Sequence, residues 1–145
     1  IVVCAALAIK NLDDRQFKKA VLVLTTGMNI FLFISYVWPT GLDFRESIVY
    51  DLHTLSGNLL KFVQTVDTPK SVFPSMHVYV TLVLQYTLEM QKKLVPAWGI
   101  WVGRVLAVLI VLSTMFTKQH SAVDVTAAIV MFAVLAIVTE KIVKK

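Results

Sequence analysis

Long apolar segments that contain almost no charge constrain this chain more than any other feature of its sequence. Residues 97–116 hold a single charged side chain, Arg104, and residues 120–139 hold one near their start, Asp124. A helix needs about 20 apolar residues to cross the roughly 30 Å of hydrocarbon in a bilayer, because each residue adds about 1.5 Å. These segments therefore predict membrane-spanning helices.

The composition excludes the main classes of soluble protein. The chain is 57% hydrophobic and 16% charged, whereas a soluble domain is about 45–50% apolar and about 25% charged. The single cysteine, Cys4, excludes an internal disulfide and a zinc–cysteine cluster. The net charge of +5 fits basic membrane loops better than nucleic acid, so no nucleic-acid partner is expected. The oligomeric state is left open.

Four segments are predicted to span the membrane, and two further helices accompany them. The first lies in the uncharged stretch of residues 20–42, where a helix over residues 20–38 is ended by Pro39, Thr40 and Gly41. The other three are residues about 74–90, about 97–116 and about 120–139. The uncharged run Ile1–Ile9 is too short to span, which predicts a truncated first helix. Residues 46–70 predict an amphipathic helix at the interface, because apolar residues recur every three or four positions among charged ones. The expected fold is all-α, a polytopic membrane helix bundle that forms a single N-terminally truncated domain over residues 1–145.

Lysine and arginine residues fall unequally on the two sides of these spans. One side holds nine, and the other holds four, namely Arg45, Lys61, Lys70 and Lys118. Because basic loops tend to remain in the cytoplasm, the richer side is expected to be cytoplasmic, with the inverted topology as the alternative. Arg104 is expected to extend toward that side and to pair with Glu89.

Reactive side chains gather at the opposite, outer end of the predicted bundle. They are Arg45, Ser75, His77, Lys118, His120 and Asp124. Ionisable groups at membrane depth are costly and tend to face functional cavities. An interfacial position is expected for the remaining histidine, His53.

Phosphate is the ligand that the start of the 74–90 helix favours. Pro74 in its first turn leaves the backbone N–H groups of Ser75, Met76 and His77 at the positive end of the helix dipole, where anions bind. Arg45 adds a planar fork that matches phosphate oxygens.

A histidine and an aspartate four residues apart supply a candidate nucleophile. On one helix, the carboxylate of Asp124 can fix the tautomer of His120 and leave its other nitrogen to attack. His77 can protonate a leaving oxygen. Because the chain has no cluster of carboxylates, neither a metal nor another cofactor is expected.

Two motifs resemble signatures of the type 2 phosphatidic acid phosphatase/haloperoxidase superfamily. F-P-S-M-H at residues 73–77 resembles P-S-G-H, and S-T-M-F-T-K-Q-H-S-A-V-D at residues 113–124 resembles S-R-x5-H-x3-D. The signature K-x6-R-P is matched only at Arg45. Departures at Trp38 and Thr114 remove two cations from the phosphate cradle, and Glu46 and Met76 depart as well. The T-K-Q-H stretch resembles the branch that includes sphingomyelin and inositol-phosphorylceramide synthases.

The resemblance implies a role for each matched residue. His120 would be the nucleophile, Asp124 its orienter and His77 the general acid. The implied phosphate contacts are Arg45, Ser75, Lys118 and Ser113. Helix capping is the alternative for Ser75, helix packing for Ser113, and a lipid-headgroup contact for Arg45.

The expected function is hydrolysis of a lipid phosphomonoester through a phosphohistidine intermediate. The resemblance implies a phosphatase-like protein, and the apolar spans predict a multi-pass protein of the cell membrane. The count of basic residues puts its active site on the non-cytoplasmic face. Its partners would be the bilayer and the lipid phosphate. Two alternatives stay open. One is a lipid phosphotransferase, in which an alcohol replaces water, and the other is a non-catalytic transport or assembly subunit.

The charge count predicts the topology directly. A tag placed after Lys145 should lie in the cytoplasm, and a cysteine introduced as Thr68→Cys in a Cys4→Ser background should react with an impermeant thiol reagent from outside. Labelling of that cysteine only from the cytoplasmic side would contradict the predicted orientation.

Overall fold

Five helices make up the regular structure of the computed structural model, which describes residues 13–41, 51–66 and 73–143. They are α1 (Asp14–Val37), α2 (Leu55–Val66), α3 (Met76–Met90), α4 (Ala97–Phe116) and α5 (Ala122–Val143). The all-α prediction is confirmed for these ranges. The predicted first helix at Ile1–Ile9 lies outside the described residues.

Three of the described helices, α1, α4 and α5, are long and apolar enough to cross a membrane. Helix α3 has 15 residues, or about 22 Å of rise, against the roughly 30 Å that a span must cover. The structure therefore indicates a membrane-embedded, helical protein with three helices of spanning length.

Helix α1 starts earlier than the apolar pattern predicts. A span from residue 20 was expected, but the helix begins at Asp14, because the carboxylate of Asp13 accepts a hydrogen bond from Gln16 N (2.7 Å) and caps the first turn. Its basic first turns stay helical, since Lys19 forms an ion pair with Glu140 of α5 at 2.7 Å. The helix ends at Val37, close to the predicted stop.

Helix α3 lies at the centre of the bundle and packs against α1, α4 and α5, while α1 also packs against α5. The buried core consists of Val23, Val78, Tyr79, Val83, Val125 and Ala128. The Tyr79 hydroxyl donates to the carbonyl oxygen of Val23, so the largest buried side chain has its polar atom satisfied. The short central helix is thus surrounded by the longer ones.

Large apolar side chains cover the outer surface of the bundle. Phe33 is 68% exposed, Trp98 72% and Val105 55%. A soluble protein rarely exposes contiguous apolar surface on this scale, and lipid chains are the solvent for which such a surface is suited. The exposure pattern agrees with the membrane prediction.

Polar side chains tie the helices together at the end opposite His77 and His120. Glu140 accepts hydrogen bonds from Lys19 and from the Tyr86 hydroxyl, which joins α5 to α1 and α3. The predicted pair of Arg104 with Glu89 is confirmed, with 2.7 Å between Arg104 Nε and Glu89 Oε1. These contacts fix the relative positions of α1, α3, α4 and α5 at one end.

The close approach of α1 and α3 requires glycine at position 27. A Cβ there would overlap the ring of Tyr79, which is fully buried and has no room to move. We expect Gly27→Ala to destabilise the protein by about 1–3 kcal/mol, the usual range for overpacking, measured by reversible unfolding in mixed micelles. Gly99→Ala is the control, because its Cβ would meet only side-chain atoms of Val95 and Pro96. Equal stability of the two variants would contradict this packing.

Candidate active site

The ends of five helices meet where the sequence places its reactive residues. Ser75 N, at the start of α3, donates to the carbonyl oxygen of Asp124 in α5 (3.2 Å). Gln64 Nε2 of α2 donates to the carbonyl oxygen of Thr117, which caps α4 (2.7 Å). The end of α1 is joined to this region by a hydrogen bond from Phe73 N to Thr40 Oγ1 (3.1 Å).

The two predicted catalytic histidines are in direct contact. His77 Nδ1 lies 3.2 Å from His120 Nε2, and the ring centroids are 5.5 Å apart. His77 is exposed, whereas His120 is buried, with 7% of its surface accessible. In such an N–H···N bond one nitrogen donates and the other accepts, so one imidazole presents a lone pair. A pair of this kind, with one donor and one acceptor nitrogen, is suited to acid–base or nucleophilic chemistry.

His120 is positioned by the way in which α4 ends. Gln119 N and His120 N both donate to the carbonyl oxygen of Thr114, and Lys118 N donates to that of Met115. This is the hydrogen-bond pattern of a Schellman motif, which requires a left-handed residue after the cap. Lys118 takes that conformation, with φ of 53°. The turn brings the chain back over α4 and places the His120 ring beside α3.

Asp124 has a structural role that the sequence interpretation missed. Its carboxylate accepts hydrogen bonds from Ser121 N (2.7 Å) and Ser121 Oγ (2.8 Å), and Asp124 N donates to Ser121 Oγ. This is a capping box at the start of α5. The prediction that His120 and Asp124 share one helical face was wrong, because α5 begins at Ala122, after the histidine.

Ser75 is the N-cap of α3, which was the structural alternative to phosphate binding. It is fully buried, and its Oγ accepts a hydrogen bond from Val78 N at 3.4 Å. Pro74 was expected in the first helical turn but precedes the cap, because α3 begins at Met76. The N–H of Ser75 donates to the carbonyl oxygen of Asp124, so it is not available to an anion, contrary to the prediction for this group.

The remaining phosphate-binding candidates differ in their positions. Lys118 is exposed in the turn that carries His120. Ser113 is exposed in the last turn of α4, and its hydroxyl donates to the carbonyl oxygen of Ile110 in the same helix (2.8 Å). Arg45 lies outside the described residues. Among the described candidates, Lys118 is the cation closest in the chain to the histidine pair.

An apolar groove of about 690 Å³ runs between α1 and α5 beside these helix ends. Its lining residues are Ile30, Ile34, Phe73, Pro74, Ala122, Val123, Thr126, Ala127, Val130 and Met131. Phe73 and Pro74 precede the cap of α3, and Ala122 opens α5, so the groove ends close to the residues that hold His77 and His120. No single motif in the sequence indicates it.

In the described ranges, no group of three or more histidine, cysteine, aspartate and glutamate side chains lies close enough together to hold a metal ion. Comparison with family models, curated proteins and solved structures finds no match to this chain. The superfamily resemblance therefore rests on the two sequence motifs alone.

The left-handed conformation of Lys118 gives a way to separate its charge from its backbone role. A non-glycine residue with φ near +55° costs about 1 kcal/mol. We therefore expect Lys118→Gly to be about 1 kcal/mol more stable than Lys118→Ala, because both lack the charge and only glycine relieves the strain. Reversible unfolding in mixed micelles measures the difference. Equal stability of the two variants would contradict the turn described here.

Proposed function

We propose that this chain is an integral-membrane, metal-independent phosphatase that hydrolyses a lipid phosphomonoester through a phosphohistidine intermediate. The observation that carries the proposal is the 3.2 Å contact between His77 Nδ1 and His120 Nε2 at one end of an apolar helix bundle. In this proposal α3 is a fourth membrane-crossing helix, and the protein is a multi-pass protein of the cell membrane. The site lies on the non-cytoplasmic face, which the distribution of basic residues favours.

The proposed reaction proceeds in two displacement steps. His120 Nε2 attacks phosphorus, the bond from phosphorus to the lipid oxygen breaks, and His77 gives its proton to the departing alkoxide. Water then attacks the phosphohistidine and gives a proton to His77. The bond between His120 and phosphorus breaks, inorganic phosphate is released, and both side chains are restored. The phosphoryl group would enter between the two rings and replace their hydrogen bond, so the two nitrogens, now 3.2 Å apart, would separate to admit it.

Charge stabilisation is assigned to groups that surround the pair. Lys118 would supply one cation from the same turn as His120, and Arg45 is proposed as a second from its place in the sequence. The dipole and first-turn N–H groups of α3 add partial positive charge beside His77. The role of Asp124 as orienter rests on the resemblance, since its carboxylate is bonded to Ser121 in this structure.

The apolar groove between α1 and α5 supports a lipid as the substrate. Ten residues line it, and Thr126 alone among them has a polar side chain. A phosphomonoester with a long alkyl chain would bury that chain in the groove while its phosphate reaches the histidines. Burial of each methylene contributes about 0.8 kcal/mol, so short-chain phosphates are expected to bind more weakly.

Two histidine variants test the reaction and the assignment of roles. His120→Ala should lose several orders of magnitude in turnover of both a lipid phosphate and p-nitrophenyl phosphate, because the nucleophile is absent. His77→Ala should lose lipid phosphate turnover but retain much of the rate with p-nitrophenyl phosphate, whose leaving group needs no proton. Phosphate release and single-turnover phosphoenzyme formation are the measurements.

His53→Ala is the matched control, because His53 is exposed and precedes α2. Near-normal turnover in His120→Ala would contradict the proposal. Equal losses for both substrates in His77→Ala, with binding unchanged, would make His77 a transition-state ligand instead of an acid. Addition of an alcohol acceptor distinguishes the phosphotransferase, which would form the phosphomonoester of that alcohol in place of inorganic phosphate.

A further inference from the structure

Helix α2 presents its apolar residues in the direction opposite to that of an amphipathic helix in a soluble protein. Leu55 is 78% exposed, Phe62 65% and Val66 68%, and at helical spacing they form one stripe with Leu59. Gln64 lies on the opposite face and is only 9% exposed. In water the apolar stripe would face the protein and the glutamine would face the solvent. The medium outside α2 is therefore apolar.

The position of α2 identifies that medium as the edge of the bilayer. Gln64 Nε2 is bonded to the carbonyl oxygen of Thr117, the cap of α4, and α4 is long and apolar enough to span. Phe116, the last residue of α4, is 81% exposed, so the lipid-facing surface of that helix continues to the level of α2. With 12 residues, or about 18 Å, α2 is too short to cross.

The hydrogen bond from Gln64 Nε2 to the carbonyl oxygen of Thr117 also links α2 to the turn that carries His120. Thr117 Oγ1 donates to Gln119 Oε1 (3.1 Å), and Gln119 N and His120 N share the carbonyl oxygen of Thr114. A shift of α2 therefore displaces Thr117 and, through the turn, the imidazole of His120. Gln64 therefore reaches His120 through this turn.

We propose that α2 is seated in the lipid interface through Leu55, Leu59, Phe62 and Val66, and that Gln64 serves as a positioning residue for His120. Contact with lipid would then set the geometry of the histidine pair and make turnover depend on the surface that covers α2. The assignment of His120 as the nucleophile rests on the proposed function, whereas the seating of α2 and its link to the turn do not.

The first experiment locates α2 in the membrane. In a Cys4→Ser background, Leu59→Cys and Lys61→Cys are each labelled with a fluorophore and reconstituted in vesicles of phosphatidylcholine brominated at known depths. The label at position 59 should be strongly quenched by lipids brominated near the headgroup, and the label at position 61, on the other face, only weakly. Weak quenching at both positions would overturn the proposal, and that result is expected if a second copy of the chain covers the stripe.

The second experiment tests the link from Gln64 to His120 in the intact chain. Gln64→Met keeps the side-chain length and removes the donor, and Thr65→Val is the control because Thr65 Oγ1 bonds only within its own helix, to the carbonyl oxygen of Lys61. The readout is the rate at which diethyl pyrocarbonate modifies His120, measured by mass spectrometry relative to His53. We expect an increase of about fivefold in Gln64→Met, the factor expected for one lost hydrogen bond. An unchanged ratio would overturn the proposal.

Kinetics then distinguish positioning from loss of binding. With p-nitrophenyl phosphate, Gln64→Met should lower kcat about tenfold and leave KM almost unchanged, because the nucleophile is misplaced and the phosphate contacts remain. A change in KM alone would overturn the proposal. If the parent protein shows no hydrolysis, the proposed function fails. The fluorescence quenching at positions 59 and 61 and the modification rate of His120 relative to His53 then still test the seating of α2 and the role of Gln64. If Gln64→Met does not insert into the membrane, Gln64→Glu replaces it, because glutamate has the same length and also lacks the amide donor.

Discussion

A backbone hydrogen bond from Ser75 N to the carbonyl oxygen of Asp124 (3.2 Å) joins the N-terminal ends of α3 and α5. An unpaired backbone group is costly away from water, so this bond is a strong constraint at the end of a membrane bundle. His77 lies two residues after the first partner, and His120 lies four residues before the second. Their contact follows from this junction and from the turn that ends α4.

Two kinds of capping hold the candidate site in place. Ser75 caps α3 with its side chain, Ser121 and Asp124 cap α5 reciprocally, and Lys118 closes α4 in a left-handed conformation. Each cap satisfies backbone groups that would otherwise need water. The residues that resemble a phosphatase motif thus also terminate helices, and motif letters alone do not distinguish the two roles.

Periodicity and charge predicted most of the fold, and spacing predicted part of the site. The apolar runs predicted the bounds of α4 almost to the residue and those of α5 to within a few residues. The depth of Arg104 in its helix predicted its ion pair with Glu89. The start of α1 was missed, because the capping carboxylate of Asp13 and the ion pair of Lys19 with Glu140 extend the helix through charged residues.

The site required tertiary information that sequence spacing does not contain. The gathering of His77 and His120 at one end was predictable from helix direction, but their direct contact was not. Asp124 was assigned to His120 on the assumption of one continuous helix, and the cap at Ser121 breaks that helix. Gln64 carries no motif, and its bond to Thr117 exists only because α2 folds back against the end of α4. Such long-range contacts leave no local pattern.

The two ends of the bundle are held by different forces and will therefore respond differently to ionic strength. Around Lys19 and Glu140 the helices are joined through charged side chains. The Lys19 side chain is 13% exposed, so dissolved ions screen the attraction between the two charges only partly. At the histidine end they are joined through backbone and amide hydrogen bonds, on which dissolved ions have little effect. Screening lengths fall from about 30 Å at 0.01 M salt to about 3 Å at 1 M. Concentrated salt should thus loosen the helices at the ion-paired end while the histidines keep their contact.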